Sequence, residues 1–330
     1  MQARAIKTDD RPVIDRDRSL DAFRGFAVLT MVAANFLAEK ALVPAWLKHA
    51  PDIGLTVIDI IAPLFVVAMA LPFRDSWKRK RERSGATAAI WETLRRYFAL
   101  IGIGAILSAG QSYALPNGGV IDWGVLQALG VAGLGLLCLV AAPVWLRLAI
   151  GAAIFAAYQL ALPVTTPLVL ARSHGGLIGA VDWMAMIIFA DAILEIIKTR
   201  PRGTVAVAGV AVAAAGAVLS VVVPISKNRV SGSYILVSLG VSLVLLWLFG
   251  MLYRTTKPTR RPDFLEVWGR RPLALYLAHQ ILLAAFIFPP STWWHEGSPA
   301  WLILAQLAAL FAILAWLACF LERRSIAFRL

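Results

Sequence analysis

Charge is scarce in this sequence: 19 acidic and 32 basic residues make up 15% of 330, where soluble domains carry about a quarter. Cysteine is nearly absent, and the two present, Cys138 and Cys319, have no metal-ligand spacing, which excludes a disulfide scaffold and a thiolate metal centre. The longest mainly polar stretches, 1–24, 74–96 and 254–272, are each too short to bury a core, which excludes an independent soluble domain. No P-loop, heptad series or soluble-type repeat is found.

What the chain does have is apolar residues, 60% of the total, with a mean hydropathy of +0.75. The expected fold is all-α, a polytopic membrane protein with a bundle of about ten transmembrane helices. The apolar runs lie at 24–41, 54–73, 97–114, 123–141, 147–163, 178–197, 204–223, 233–253, 272–289 and 299–320. With the N-terminus inside, 27 of the 32 Lys and Arg fall on the inner side. Lys40, Lys48, Arg172, Lys227 and Arg229 remain outside. This asymmetry predicts both termini in the cytoplasm, residues 1–23 as a retained cytoplasmic tail, and location in the inner (plasma) membrane.

The net charge of +13 is then a topological signal, and no nucleic-acid partner is expected. Lys78 to Arg83 reads as a solvated loop against anionic lipid headgroups, with attraction of a polyanionic cofactor as the lesser alternative. Trp46, Trp183, Trp268, Trp293 and Trp301 are among the tryptophans at predicted span ends, where an aromatic belt is expected. The Ala, Val and Gly run over 204–223 reads as close helix packing.

Polar residues at membrane depth are costly and mark function. His49 lies on a short loop between the first two spans, with Asn35 near the end of the first and Asp59 one turn inside the second. An imidazole can take and return a proton near neutral pH, and Asp59 either packs helices or orients that imidazole. Asp21 and Arg24, at i, i+3, form an interfacial ion pair or place a phosphate-binding guanidinium at a cavity mouth. Arg270, Arg271, Tyr276 and His279 can line that same cavity. Asp191 and Glu195 read as snorkelling groups or partners of Lys198. His174 and His295 read as surface residues. No metal site is expected.

At these positions the chain resembles the transmembrane acyltransferase family of heparan-alpha-glucosaminide N-acetyltransferase and its bacterial relatives. The resemblance rests on SLDAFRGFAVLTMVAANF at 19–36, LKHAPDIGLTVIDIIAPLFVVAMA at 47–70, VLQALG at 125–130 and GRRPLALYLAHQ at 269–280. Ala128 and Arg271 stand where the family usually has Arg and often has Asn. The resemblance implies one transmembrane acyltransferase domain over 1–330, with acetyl-CoA as donor and a sugar or glycan on the far side as acceptor. It also implies His49 as the catalytic histidine with Asn35 beside it, and a homodimer. Asn35 would donate to the oxyanion; direct transfer and an acetyl-histidine intermediate both remain open, as do N- and O-acetylation. The competing reading is a proton-coupled secondary transporter with Asp59, Asp191 and His279 as a relay. Internal repeats and matched helix breaks would mark such a transporter, and neither is evident in the sequence.

Overall fold

The computed structural model describes residues 17–114, 122–255, 262–286, 291–324 and 326. The expected tail before Asp17 and the end of the ninth expected span, 287–289, lie outside the described residues. All regular structure among those described is helical.

Helix α1 (Arg18–Leu37) begins earlier than the apolar run, because the Asp17 carboxylate accepts from the backbone N–H of Ser19 at 3.0 Å and of Leu20 at 3.2 Å. That cap satisfies donors at a helix start before hydrophobicity begins. A loop and a 3-10 turn at Val57–Ile60 lead into α2 (Ile61–Ala70). Helix α3 (Phe73–Ala114) takes up the basic stretch expected as a loop, and bends at Gly85, whose φ of 83° favours glycine.

There follow α4 (Val125–Cys138), α5 (Val144–Leu170), α6 (Gly176–Ile197), α7 (Gly203–Leu219), α8 (Gly232–Thr255), α9 (Phe264–Arg270), α10 (Pro272–Phe286) and α11 (Ala300–Arg323). Each expected span has its helix, and α9 is an addition. Six helical stretches among the described residues are long and apolar enough to cross a membrane, while α4, α7 and α10 are shorter. The chain is a multi-pass membrane protein. Accordingly, α5 and α7 turn bare apolar side chains outward, including Leu160, Val164, Val207 and Val218.

Arg271 (φ −131°, ψ 41°) separates the short helix α9 from α10, which starts where the ninth expected span does. The Asp263 carboxylate accepts from Glu266 N–H at 2.9 Å, and the Glu266 carboxylate from Asp263 N–H at 2.7 Å, so a capping box starts α9. Helix α9 lies backbone to backbone on α1. A Cβ at Gly269 would sit 1.6 Å from the Asp21 carbonyl oxygen, and one at Gly25 2.0 Å from that of Leu265. No larger residue permits this approach, and it carries Arg270 and Arg271 to the end of α1.

Two other expectations are corrected. Trp183 and Trp268 are buried among helices, whereas Trp46, Trp293 and Trp301 are exposed as a belt requires. Asp191 and Glu195 pair with Arg147 and Arg74, while Lys198 reaches Asp75 at 2.7 Å. Arg147 is fully buried, so its charge needs those carboxylates. Cys138 and Cys319 are free and exposed.

Candidate active site

Two cavities lie along α1. The smaller, about 90 Å³, is lined by Asn35, His49, Asp59, His174, Lys227 and Tyr276, among others. His49 directs Nδ1 at Asp59 Oδ1, 2.7 Å away. A carboxylate can only accept, so Nδ1 carries a proton, and in the neutral ring Nε2 keeps its lone pair. The other Asp59 oxygen accepts from Thr56 N–H and Thr56 Oγ, both at 3.0 Å, and from Ala50 N–H at 3.3 Å. Asp59 itself is buried. The carboxylate is thereby fixed, and it fixes the ring.

Asn35 is held by His279, whose Nδ1 faces the Tyr276 carbonyl oxygen and must donate to it. His279 Nε2 is therefore an acceptor, and it takes one proton of the Asn35 amide at 3.0 Å. One N–H and the Oδ1 of Asn35 remain for the cavity. His279, expected with the arginines, belongs instead to this end of the site and orients Asn35.

The His49 loop is clamped by the segment between α7 and α8. Arg229 Nε donates to both Asp52 carboxylate oxygens at 2.9 and 3.1 Å, and Ser226 Oγ reaches Asp52 at 2.9 Å. Gly54 N–H donates to the Ile225 carbonyl at 2.8 Å, and Gly54 has φ 125°, a conformation that favours glycine. The Arg229 hydrogen bond holds the Asp52 carboxyl below the usual carboxylate range, against the opposing effect of burial. This clamp delivers Lys227, buried and with Nζ 3.9 Å from Asp59 Oδ1. Burial lowers the Lys227 pKa, and Asp59 opposes that shift.

The larger cavity, about 490 Å³, lies at the other end of α1. Arg24, Arg270, Arg271 and Tyr276 line it as expected; Arg79, Lys80 and Arg96 line it as well, with Glu92. The basic stretch assigned to lipid headgroups thus contributes to a cavity wall. Asp21 is buried, 3.7 Å from Arg24 Nη1 and 3.6 Å from Arg270 Nε, and holds both guanidiniums at the mouth. Arg24 Nη2 also donates to the Ala68 carbonyl at 3.0 Å. Glu322 pairs with Arg270 at 2.5 Å and with Arg271 at 3.4 Å. An excess of cations over carboxylates around one concave site suits a polyanionic ligand.

The two cavities share Met31, Phe65, Val125 and Tyr276. Along α1, Arg24 lines the larger only, Met31 both, and Asn35 the smaller only. Eleven residues of helix separate Arg24 from Asn35, a rise of about 16 Å.

Lys227, His174 and Arg96 were not expected as site residues, and for Arg79 and Lys80 attraction of a polyanion was only the lesser reading. Among the described residues, Nδ1 of His174 is buried and has no hydrogen-bond partner, and its φ is 55°. Strain of this kind gathers at functional sites, but no sequence signal exposes it. Lys227 had a faint one, since basic residues on the outer side are few.

The fold and site define a multi-pass helical membrane protein with a histidine–carboxylate pair at one cavity and an arginine-rich cavity adjoining it. Residues 16–173 match the family model described as heparan-alpha-glucosaminide N-acetyltransferase, catalytic. The chain is 36% identical over 123 residues to heparan-alpha-glucosaminide N-acetyltransferase of Homo sapiens, covering 35% of this chain and 18% of that protein. With the Mus musculus protein of the same name it is 34% identical over 128 residues, covering 37% and 18%. The chain thus spans under a fifth of the length of these relatives. Over this segment the chain is similar to the catalytic region of heparan-alpha-glucosaminide N-acetyltransferase. The match takes in Asp21, Arg24, Asn35, His49 and Asp59, and ends before Lys227 and the α9–α10 residues.

Proposed function

We propose that this protein is a membrane-embedded acetyltransferase that takes the acetyl group of cytoplasmic acetyl-CoA and transfers it to an amine or hydroxyl of a sugar on the outer side of the inner membrane. One observation carries this reading: the arginine-rich cavity and the His49 cavity share a wall. A thioester arm anchored by its phosphates near Arg24, Arg79, Arg270 and Arg271 then needs to extend only about 16 Å along α1 to reach Asn35 and His49. Arginine suits the phosphate role because its planar fork binds oxygens in pairs. The sugar acceptor is supported by the names of the relatives, and the sidedness by the distribution of Lys and Arg.

The chemistry follows from the geometry of His49. Its Nε2 lone pair takes the proton of the acceptor N–H or O–H as that atom attacks the thioester carbonyl carbon. The carbonyl electrons move onto oxygen, towards the remaining N–H of Asn35. The oxyanion then collapses, the C–S bond breaks, and the coenzyme sulfur leaves with the proton held by His49. Asp59 stabilises the imidazolium in between.

Purified protein given acetyl-CoA and D-glucosamine should release coenzyme A thiol and acetylated sugar in equal amounts. Acetyl-CoA left intact by the protein, combined with proton-driven solute uptake in vesicles, would favour the transporter instead.

A further inference from the structure

Asp59 and Lys227 give the His49 cavity one fixed negative and one positive charge. The Lys227 ammonium is buried, and among the described residues no acceptor lies within hydrogen-bond distance of Nζ; its nearest carboxylate oxygen, on Asp59, is 3.9 Å away. That Asp59 oxygen is the one bound to His49. Lys227 also lines the cavity that His49 and Asn35 line. An ammonium whose three donors make no hydrogen bond, with its one carboxylate partner 3.9 Å away, keeps those donors available for further negative charge in the cavity.

Resting on the acetyltransferase reading, we propose that Lys227 is a catalytic residue whose ammonium stabilises the oxyanion formed when the acceptor attacks the thioester. In the resting site Asp59 and Lys227 cancel. When the acceptor proton moves to His49 and the carbonyl electrons move to oxygen, the imidazolium and the oxyanion appear together, and the site stays neutral only because Lys227 offsets Asp59. With Lys227 removed, the imidazolium faces two anions in a cavity of about 90 Å³, and the oxyanion is left uncompensated where low polarity makes that most costly. On collapse the electron pair returns to carbon, the C–S bond breaks, and Lys227 reverts to its distant pairing with Asp59. It neither gains nor loses a proton.

The clamp through Arg229, Asp52 and Ser226 explains how a lysine with no hydrogen-bond partner is held in place: the backbone on either side is fixed, so the side chain is aimed with only the distant Asp59 opposite it. The left-handed φ of 50° at Val230 closes this turn, and the Val230 N–H donates to the Lys227 carbonyl at 3.1 Å.

The test compares Lys227→Met, Lys227→Gln and Lys227→Arg with wild type, reading the turnover rate from acetyl-CoA to D-glucosamine and the equilibrium binding of acetyl-CoA. Loss of one oxyanion-stabilising group typically lowers turnover by 10²- to 10³-fold. Met and Gln should therefore lose about 100-fold or more in turnover with acetyl-CoA affinity within about 3-fold of wild type, and Arg should recover at least a tenth of the wild-type rate. Met or Gln turning over within about 3-fold of wild type would overturn the proposal. So would joint loss of acetyl-CoA binding and of the thermal transition in all three variants, which would make Lys227 a member of the loop clamp alone. Wild type inactive in the same assay would instead refute the acetyltransferase reading on which the proposal rests.

Discussion

At the residue scale, His49 derives its chemistry from one carboxylate oxygen at 2.7 Å. His49→Ala should lower transfer by about 100-fold or more, as loss of a general base does, while the melting temperature in detergent stays near wild type, because the side chain lies on a loop and fills no core position. Asp59→Asn should retain the shape yet place an amide where His49 Nδ1–H needs an acceptor. The ring then turns or changes tautomer, so turnover should fall while acetyl-CoA binding, measured at the distant arginines, is unchanged. Asn35 and Asp59 were legible as polar residues in apolar runs, and His49 as the histidine on the short loop between those runs. His279 was legible as a polar residue but not by its partner: only three-dimensional packing shows that its Nε2 holds Asn35. Lys227 and His174 were hidden, since each sits among other polar residues on a loop far in sequence from the residues it joins.

At the element scale, the α1–α9 contact positions the arginines. Gly25 and Gly269 let the two backbones meet, and Asp21 holds Arg24 and Arg270 from below. Gly269→Ala inserts a methyl group against the Asp21 carbonyl oxygen. Overpacking of this kind costs about 1–3 kcal/mol, so the thermal transition should fall and acetyl-CoA affinity should weaken with it. Arg24→Ala should weaken acetyl-CoA binding and leave acceptor binding less affected. The ten apolar runs were readable because each is long and continuous. Helix α9 was not, although Asp263 and Glu266 carry the spacing of a capping box, because seven residues between charged neighbours produce no apolar run. The bent α3 was read as a loop for a similar reason: its polar half has no hydrophobic period, and it is helical by continuity with the apolar half.

At the scale of the whole molecule, the account rests on a vectorial arrangement, with a donor end rich in arginine and an acceptor end at His49. Charge distribution suggests which end faces the cytoplasm. Single cysteines at Ser84 and Ser291, in a background without Cys138 and Cys319, should separate the two faces: an impermeant thiol reagent should label Ser291→Cys on intact spheroplasts and Ser84→Cys only after lysis. The most direct measurement uses proteoliposomes of known orientation, with acetyl-CoA and D-glucosamine confined to opposite sides. Acetylated sugar should form only when acetyl-CoA is on the Arg24 side and the sugar on the His49 side. Equal product with acetyl-CoA confined to the His49 side would contradict the transfer path along α1.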